Sequence, residues 1–371
     1  MISAENLKLA DIIVNFSCKL QKGEKILIES TYECKDLIRA IIQKTYEVGG
    51  LPFVRLSDEN IDRELLLGCS EEQMALESNH QANVMNNMDA YVAMRFKGNS
   101  YETSDVPQDN MNLYTKYIAG RVHKDIRVGN TKWVVLRYPS PSTAQKAEMS
   151  LDAFEKFYYD VCTLDYDKMS KAMDSLVTLM EKTDNVRLVA KDTDISFSIQ
   201  EIPAIKCDGE KNLPDGEVFT APVKNSINGV ISYNTPSEYQ GFKFENIRLE
   251  FKDGKIINAT ANNTEKINKI FDTDEGARYV GEFAIGVNPY VTKPMCEILF
   301  DEKIAGSIHL TPGCCYDEAP NGNKSDIHWD LVLIQTPEYG GGEIYFDDVL
   351  IRKDGLFVLP ELEGLNPENL K

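Results

Sequence analysis

The chain has 371 residues, of which 42 % are hydrophobic, so it is long enough for two or three domains, each with its own apolar core. Its 59 aspartates and glutamates outnumber its 40 lysines and arginines, which gives a formal net charge of −19 at pH 7. Such a charge repels nucleic-acid phosphates and anionic lipids, and no apolar run reaches the roughly 20 residues that span a bilayer, so we expect neither a nucleic acid nor a membrane as a partner.

The N-terminal segment MISAENLKLADIIVNF carries an early acidic residue and no basic stretch ahead of an apolar one, so it does not resemble a secretory signal. The eight cysteines contain no C-x-x-C pair, which argues against a zinc ribbon or a thioredoxin-type motif. In a long chain without an export signal, most thiols are expected to stay reduced. We therefore predict a cytoplasmic protein.

The first half of the chain alternates helix and strand patterns. A helical stripe over residues 4–19 precedes the first strand, and segments of helix length separate the others. The predicted strands are Glu24–Ser30, Pro52–Leu56, Ala90–Phe96 and Lys132–Tyr138. Because strands joined by helical crossovers pair in parallel, with helices on both faces, residues 1–183 are predicted to form a doubly wound, Rossmann-like α/β domain. A helix over about Asp165–Lys182 ends this domain.

Short, often alternating strands bounded by Asn, Asp, Gly and Pro dominate the second half of the chain. They are Val186–Ala190, Asp194–Gln200, Ile227–Ser232, Ile247–Phe251, Lys255–Ala261, Glu282–Val287 and Leu331–Gln335. The dipeptide Asp253-Gly254 lies between two of them, which is a strong hairpin signal. One helix is predicted near Thr264–Phe271. Residues 184–371 are therefore predicted to form a mixed, mainly β, C-terminal domain.

Several nucleotide-binding and catalytic motifs are missing from the sequence. It contains no G-x-G-x-x-G after a strand, no G-x-x-x-x-G-K-[ST] phosphate loop, no G-x-S-x-G elbow and no H-E-x-x-H. Because a Rossmann-like sheet alone does not establish a nucleotide ligand, dehydrogenase and kinase functions are disfavoured.

Carboxylates and imidazoles stand at suggestive positions in the second half. His328 and Asp330 are two residues apart at the start of an apolar run, where strand alternation sends both side chains to one face. Glu217 and Glu282 each open a strand-like run whose same-face neighbours are modest in size, which leaves room for an ion. Taken singly, a hydrogen-bonded His–Asp pair and solvated strand-end glutamates are the simpler interpretations.

Glu302 precedes His309 by seven residues, and Tyr316 follows in the same segment. A solvated surface charge and a half-buried tyrosine are again the simpler interpretations of Glu302 and Tyr316. Together, however, three glutamates, two histidines and one aspartate supply oxygen and imidazole donors without a thiolate. This donor set suits zinc, manganese, cobalt or magnesium, and two ions that share a bridging carboxylate would use all of it.

These residues lie in segments that resemble the thermophilic-type metalloaminopeptidases, the family of aminopeptidases T and S. The segments are GEVFTAP (216–222), DEGARYVGEFAIGVNP (274–289), LFDEKIAGSIHLTPGCCY (299–316) and HWD (328–330). The resemblance covers most of the chain, although the α/β half agrees in layout more than in motif. It implies an exopeptidase that removes N-terminal amino acids from peptides with a free N-terminus, and a homodimer whose active sites face an enclosed cavity.

The resemblance also assigns roles to individual residues. Those that match the family's metal ligands are Glu217, Glu282, His309, His328 and Asp330. Glu282 would be the bridge and Tyr316 a catalytic tyrosine, whereas Glu302 is a ligand, a general base or displaced, because its distance from His309 is longer than in some members. The resemblance further implies two divalent ions per chain, either zinc, cobalt, manganese or magnesium, and hydrolysis by a metal-activated water.

Two other functions remain open on the sequence. A metal-independent carboxylate pair, as in a glycosidase, would use only two of the acids and leave the histidines unexplained. A catalytically inactive peptide- or metal-binding member of the same fold would be favoured by a missing ligand, yet every matching position is filled. Sensitivity to a chelator tests the first alternative, and hydrolysis of an aminoacyl-p-nitroanilide tests the second.

Overall fold

The computed structural model describes residues 2–371, which form two compact units. The first unit comprises the chain through Thr163 together with Gly209–Leu213. The second unit comprises Leu164–Asp208 and Pro214–Lys371. Among residues 2–371, no helix combines the length and the apolar character that crossing a bilayer requires.

The first unit is built on a five-stranded parallel sheet. Its strands are β1 (Lys25–Thr31), β2 (Leu51–Ser57), β3 (Ala90–Arg95), β4 (Lys132–Arg137) and a short strand at Asn212–Leu213. They lie in the order β2-β1-β3-β4, with the short strand beside β4, and every pairing is parallel. Strand β3 is buried along nearly its whole length, as expected for a central strand covered on both faces.

Seven α-helices and several other helical segments in the described part of the chain accompany this sheet. They are α1 (Ala4–Asp11), α2 (Lys35–Glu47), α3 (Glu59–Leu67), α4 (Glu71–Met85), α5 (Gln108–Tyr114), α6 (Pro141–Lys146), α7 (Leu151–Cys162), π-helical segments at Ile12–Ser17 and Thr115–Val128, and a 3-10 turn at Tyr32–Cys34. Helix α1 packs on α2, while α4 packs on the second π-helical segment. Leu27 and Tyr91 of the sheet join Met85 of α4 in one hydrophobic cluster. The predicted doubly wound α/β architecture is confirmed.

The second unit contains an eight-stranded antiparallel sheet. In sheet order its strands are Lys255–Thr260, Arg248–Lys252, Asn228–Ser232, Thr193–Ser198, Asn185–Ala190, Gly342–Phe346, Val349–Lys353 and Leu356–Phe357. The predicted hairpin is present, with Asp253 and Gly254 at φ of 49° and 82°, the left-handed values that a two-residue primed turn requires. A separate two-stranded ribbon pairs Ser237–Tyr239 with Phe242–Phe244.

A second antiparallel sheet lies in the core of this unit. Its strands are β5 (Ile205–Cys207), β6 (Glu217–Thr220), β7 (Val280–Gly286), β8 (Ser307–Pro312) and β9 (Val332–Ile334). They lie in the order β9-β8-β7-β6-β5. Every residue of β6, β7 and β8 is buried, so the polar side chains on these strands are drawn into the interior.

The helices of the second unit are few and mostly short. They are α8 (Tyr166–Met180), α9 (Thr264–Phe271), α10 (Ile298–Asp301), α11 (Pro367–Leu370) and 3-10 turns at Gly276–Arg278, Pro337–Tyr339 and Glu363–Leu365. Helix α8, which was predicted to end the first domain, packs within the second unit, and its Tyr166 hydroxyl accepts a hydrogen bond from the Asp215 N–H at 3.1 Å. All eight cysteines are free thiols, as predicted.

Candidate metal centre

One face of the five-stranded antiparallel sheet of the second unit carries three of the predicted site residues. On β7, Ala284 lies opposite Phe219 of β6 on one side and opposite His309 of β8 on the other. On β7, Glu282 precedes Ala284 by two residues, and on β6, Glu217 precedes Phe219 by two residues. Because side chains alternate along a strand, both glutamates share the face of His309.

Gly286, at the end of β7, allows another segment to pass close over this face. A Cβ at this position would stand 2.5 Å from the carbonyl oxygen of Ile304 and 3.0 Å from that of Glu302. Only glycine therefore admits the backbone of residues 302–304 at this distance. The close approach brings Glu302 and Lys303 to the Glu217 end of the sheet.

The segment that carries His328 reaches the site through Gly313, which has a φ of 113° and pairs with His328 in an isolated bridge. His328 Nδ1 donates a hydrogen bond to the carbonyl of Cys314 at 2.7 Å. This bond turns Nε2 towards Glu282 and Asp330, whose nearest carboxylate oxygens both lie at 3.2 Å. An imidazole anchored through its other nitrogen is the usual arrangement of a metal-binding histidine.

Glu282 lies between the two imidazoles and is only 3 % exposed. Its Oε1 is 3.4 Å from Nε2 of His309, and its Oε2 is 3.2 Å from Nε2 of His328. Each carboxylate oxygen therefore serves a different histidine. A carboxylate with one oxygen towards each of two imidazoles is able to bridge two ions.

The potential ligand atoms converge in two groups, each with all its atoms within 4.8 Å of one another. One group is Glu217, Glu302 and His309, and the other is Glu282, His328 and Asp330. The structure therefore brings all six predicted ligands together. The longer connection between Glu302 and His309 does not displace Glu302, because the chain turns back between α10 and β8.

Two buried charged residues at the site were not anticipated from the sequence. Lys303 Nζ lies 2.5 Å from Oε1 of Glu217, 2.8 Å from Oε1 of Glu302 and 3.2 Å from Oδ1 of Asp215. The side chains of Lys303 and Asp215 are each only 1 % exposed. The turn Pro214-Asp215-Gly216 gives a weak signal for Asp215. Nothing in the sequence marks Lys303, since a lysine in a charged run is ordinarily solvated.

Cys207 of β5, which the sequence also left unassigned, forms a third group of possible donors with Asp215 and Glu217. Burial and the two neighbouring carboxylates raise the pKa of the Cys207 thiol well above its ordinary value. Cys207 belongs to neither of the two groups that contain the predicted ligands, so the donors of those two groups are oxygens and imidazoles only.

Tyr316 lies beside the second group of donors. Its ring centroid is 4.7 Å from that of His328 and 5.5 Å from that of Phe219, and 44 % of the residue is exposed. Partial burial and the carboxylates of Glu282 and Asp330 raise the pKa of the phenol above its ordinary value. Tyr316 is therefore protonated at neutral pH and can donate a hydrogen bond.

The pKa shifts of the site's carboxylates and imidazoles show that its buried negative charge favours bound protons or cations. Burial raises the pKa of Glu302 to about 8 and also raises that of Glu217. Burial alone would keep His309 neutral, but the carboxylates of Glu217 and Glu282 outweigh it and raise the pKa of His309 to about 9. Against the effect of burial, neighbouring carboxylates raise the pKa of His328 to about 12. In the absence of ions, protons therefore occupy the imidazoles.

Two buried polar atoms of the donor groups make no hydrogen bond of normal geometry among the described residues. They are Oε2 of Glu217 and Nε2 of His328, although Glu282 and Asp330 each lie 3.2 Å from the latter. Buried polar atoms normally have partners, and a bound cation satisfies an oxygen or imidazole lone pair as well as a donor does. The residues present thus fit a divalent metal.

Comparisons with known proteins identify the family of the chain. Residues 3–343 match the family model described as thermophilic metalloprotease (M29). Aminopeptidase PepS of Streptococcus thermophilus is 24 % identical over 89 % of this chain and 92 % of its own. Aminopeptidase T of Thermus aquaticus is 25 % identical over 93 % of this chain and 95 % of its own. The solved structure of wild-type AmpT from Thermus thermophilus matches with a TM-score of 0.79 at 20 % identity, covering 96 % of this chain and 99 % of that one.

These findings define a metal-dependent peptidase. The chain belongs to the thermophilic metalloprotease (M29) family, whose model matches most of its length. The predicted family and the predicted enzyme class, a metalloaminopeptidase, are confirmed. The structural likeness to AmpT confirms the predicted fold class. The assignment of individual residues as ligands stays a prediction.

Proposed function

We propose that the chain removes N-terminal amino acids from peptides at a centre of two divalent metal ions. The observation that carries this proposal is the placement of Glu282, with one oxygen towards His309 and the other towards His328. A carboxylate so placed can bridge two ions, as in other two-metal hydrolases. The names of the relatives, all aminopeptidases, support the reaction.

The two donor groups suggest how the ions are held. One ion would take Glu217, Glu302 and His309, the other would take His328 and Asp330, and Glu282 would bridge them. Zinc, cobalt, manganese and magnesium all accept oxygen and imidazole ligands. When bound, such a pair of ions activates a water molecule and polarises the scissile carbonyl.

The charge of the site supports the number of ions. Among the residues that the structure describes, the site contains one ammonium group, that of Lys303, and five carboxylates, namely Asp215, Glu217, Glu282, Glu302 and Asp330. Metal-binding imidazoles are neutral, so the cluster then carries four excess negative charges. Two divalent cations neutralise this charge, whereas one would leave buried charge uncompensated, which is costly.

The protein's own groups position the reactants. Lys303 is a positioning residue, because its ammonium holds the carboxylates of Glu217 and Glu302 in place. Glu302 has the most exposed side chain of its donor group, at 15 %, so it is the carboxylate best placed to accept a proton or to hold the substrate's free α-ammonium. Tyr316 donates a hydrogen bond to the oxyanion that develops on the scissile carbonyl.

We further propose that the protein acts as a homodimer. The edge strand β2 exposes Leu51, Phe53 and Val54 by 44–45 % each. An exposed apolar edge strand is a template for pairing with another chain, and a second copy is the simplest partner. Light scattering in solution tests this point, and a monomer would contradict it. The cytoplasmic location stays a prediction.

Metal analysis with a parallel activity assay tests the proposed reaction. We expect about two equivalents of divalent ion per chain and hydrolysis of aminoacyl-p-nitroanilides. Chelation should abolish turnover, and added cobalt, manganese or zinc should restore it. Turnover that survives chelation would indicate the metal-independent carboxylate pair instead. Bound ions without turnover on any aminoacyl substrate would indicate a binding protein.

Replacing Tyr316 by phenylalanine should lower kcat by about 10²–10³-fold, as for other donors to an oxyanion. The metal content should not change, since the phenol is not among the proposed ligands. Steady-state kinetics and metal analysis on the same preparation check both statements. A phenylalanine variant with full turnover would rule out the proposed role.

A further inference from the structure

The first unit contains a cavity of about 950 Å³ whose lining residues all belong to that unit. It opens at the carboxyl ends of the parallel strands, where Glu29–Thr31 end β1, Arg95 ends β3 and Arg137 ends β4. Strand β1 lies between β2 and β3, so the strand order reverses there. Open parallel sheets bind ligands at such a switch point, outside the carboxyl ends of the strands.

The cavity offers a guanidinium group to a ligand. Arg95 donates hydrogen bonds to Oε1 of Glu29 and to the hydroxyl of Tyr91, both at 3.3 Å, and the Tyr91 hydroxyl donates to Glu29 at 3.0 Å. A guanidinium has five donors, so this network leaves several of them for an incoming acceptor. The side chain of Arg95 is 39 % exposed, so a carboxylate can reach it.

The cavity also offers a carboxylate that lacks an ion-pair partner. Asp62 of α3 lines it and is exposed, and among residues 2–371 no basic side chain forms an ion pair with it, although the charge of Arg55, which pairs with Glu77, partly offsets its own. Partial burial and the nearby carboxylate of Asp58 raise the pKa of Asp62 above its ordinary value. An ammonium group bound at Asp62 would relieve this repulsion.

One wall of the cavity is apolar. Leu66, Met74 and Ile118 line it and are buried in the protein. Ile61 and Leu65 also line it and are 61 % and 50 % exposed. Ligand sites typically combine such an apolar wall with a few convergent polar groups.

The lining disfavours a phosphate-bearing ligand. The connection from β1 to α2 is Tyr32–Cys34, a 3-10 turn without the glycines by which dinucleotide-binding folds approach a pyrophosphate. Six carboxylates line the cavity against four lysine and arginine side chains. Burial lowers the pKa of His123 to about 4, so this imidazole adds no positive charge at neutral pH. A ligand that carries its own ammonium group is favoured.

We propose that the cavity binds an amino-acid zwitterion with an apolar side chain. Asp62 takes the ammonium group, Arg95 takes the carboxylate, and the wall around Met74 takes the side chain. A short peptide carries the same two charged groups farther apart, so the spacing of Asp62 and Arg95 selects between a free amino acid and a peptide. Amino acids are products, and peptides are substrates, of the reaction proposed above. Where the ligand comes from therefore rests on the proposed function, whereas the binding of the ligand to this cavity does not.

Calorimetric titration of the chelator-treated, full-length protein tests the proposal, because the absence of metal prevents hydrolysis. Leucine and trileucine are the probes, and one equivalent per chain should bind. Tighter binding of leucine would identify the ligand as a free amino acid, and tighter binding of trileucine as a peptide. Leucinamide, which lacks the carboxylate, and N-acetylleucine, which lacks the ammonium group, should each bind at least about tenfold more weakly than leucine. The proposal would be wrong if either analogue bound as tightly as leucine, or if neither leucine nor trileucine bound.

Three variants locate the ligand. Asp62→Asn should weaken binding at least about tenfold, because the amide cannot replace the negative charge. Glu64→Gln is the matched control, since Glu64 lies on the same helix but outside the lining and its side chain is 72 % exposed. Glu282→Gln should bind the probe as the wild type does. If Glu282→Gln abolished binding while Asp62→Asn left it unchanged, the ligand would lie in the second unit and this proposal would be wrong, whatever the result of the peptidase assay.

Discussion

Replacing Glu282 by glutamine should lower kcat/KM for aminoacyl-p-nitroanilides by about 10³-fold or more and should remove most of the bound metal. Glu282 directs one oxygen to each donor group, so this one substitution weakens the binding of both ions. The amide offers one acceptor oxygen in place of two and carries no charge. Steady-state kinetics and metal analysis of the purified variant measure both effects.

Glu265→Gln is the matched control for this variant. Glu265 lies on α9, its side chain is 79 % exposed, and its ion-pair partner is Lys269 on the same helix. The control makes the same chemical change and should keep both the metal and the turnover of the wild type. A Glu282→Gln protein that retained two ions and near-normal turnover would contradict the bridging role.

Replacing Lys303 by methionine should destabilise the metal-free protein by about 3–5 kcal/mol, the usual effect of breaking a buried ion pair from one side. The neighbouring carboxylates, against the effect of burial, raise the pKa of Lys303 well above its ordinary value, so its ammonium is charged at neutral pH. Its loss leaves Asp215, Glu217 and Glu302 without their shared cation. In a unit of this size the change corresponds to a fall in Tm of roughly 10 °C, measurable by scanning calorimetry after chelation.

Lys269→Met is the control for the lysine substitution. Lys269 pairs with Glu265 on the same helix and its side chain is 73 % exposed, so its removal should change stability by no more than about 1 kcal/mol. Added divalent ions should raise the Tm of Lys303→Met more than that of the wild type, since a cation can replace part of the missing charge. An unchanged Tm without metal would show that Lys303 does not neutralise the buried carboxylates.

The elements that local patterns specify were predicted closely. The strand predicted at Glu24–Ser30 is found at Lys25–Thr31, and the helix predicted at Thr264–Phe271 has those bounds. Both have strong local signals, an apolar run for the strand and an amphipathic repeat for the helix. The two-residue hairpin at Asp253-Gly254 was equally clear, because few residues adopt positive φ at both turn positions.

Other features depend on contacts between residues far apart in the chain. Helix α8 follows the first unit in sequence, yet it packs in the second unit, where Tyr166 meets Asp215. A helical pattern gives the buried face but not the surface that covers it. The burial of Lys303 is of the same kind, since only the approach of two distant carboxylates makes a buried ammonium favourable.

Residue types and spacing alone predict a donor set of oxygens and imidazoles. They also predict the strand face on which a donor lies, because side-chain alternation is a local property of a strand. Folding then sets which donors meet. The pairing of β6, β7 and β8 aligns Glu217, Glu282 and His309, and the close passage over Gly286 adds Glu302. Strand register and backbone approach depend on long-range packing, which no local pattern encodes.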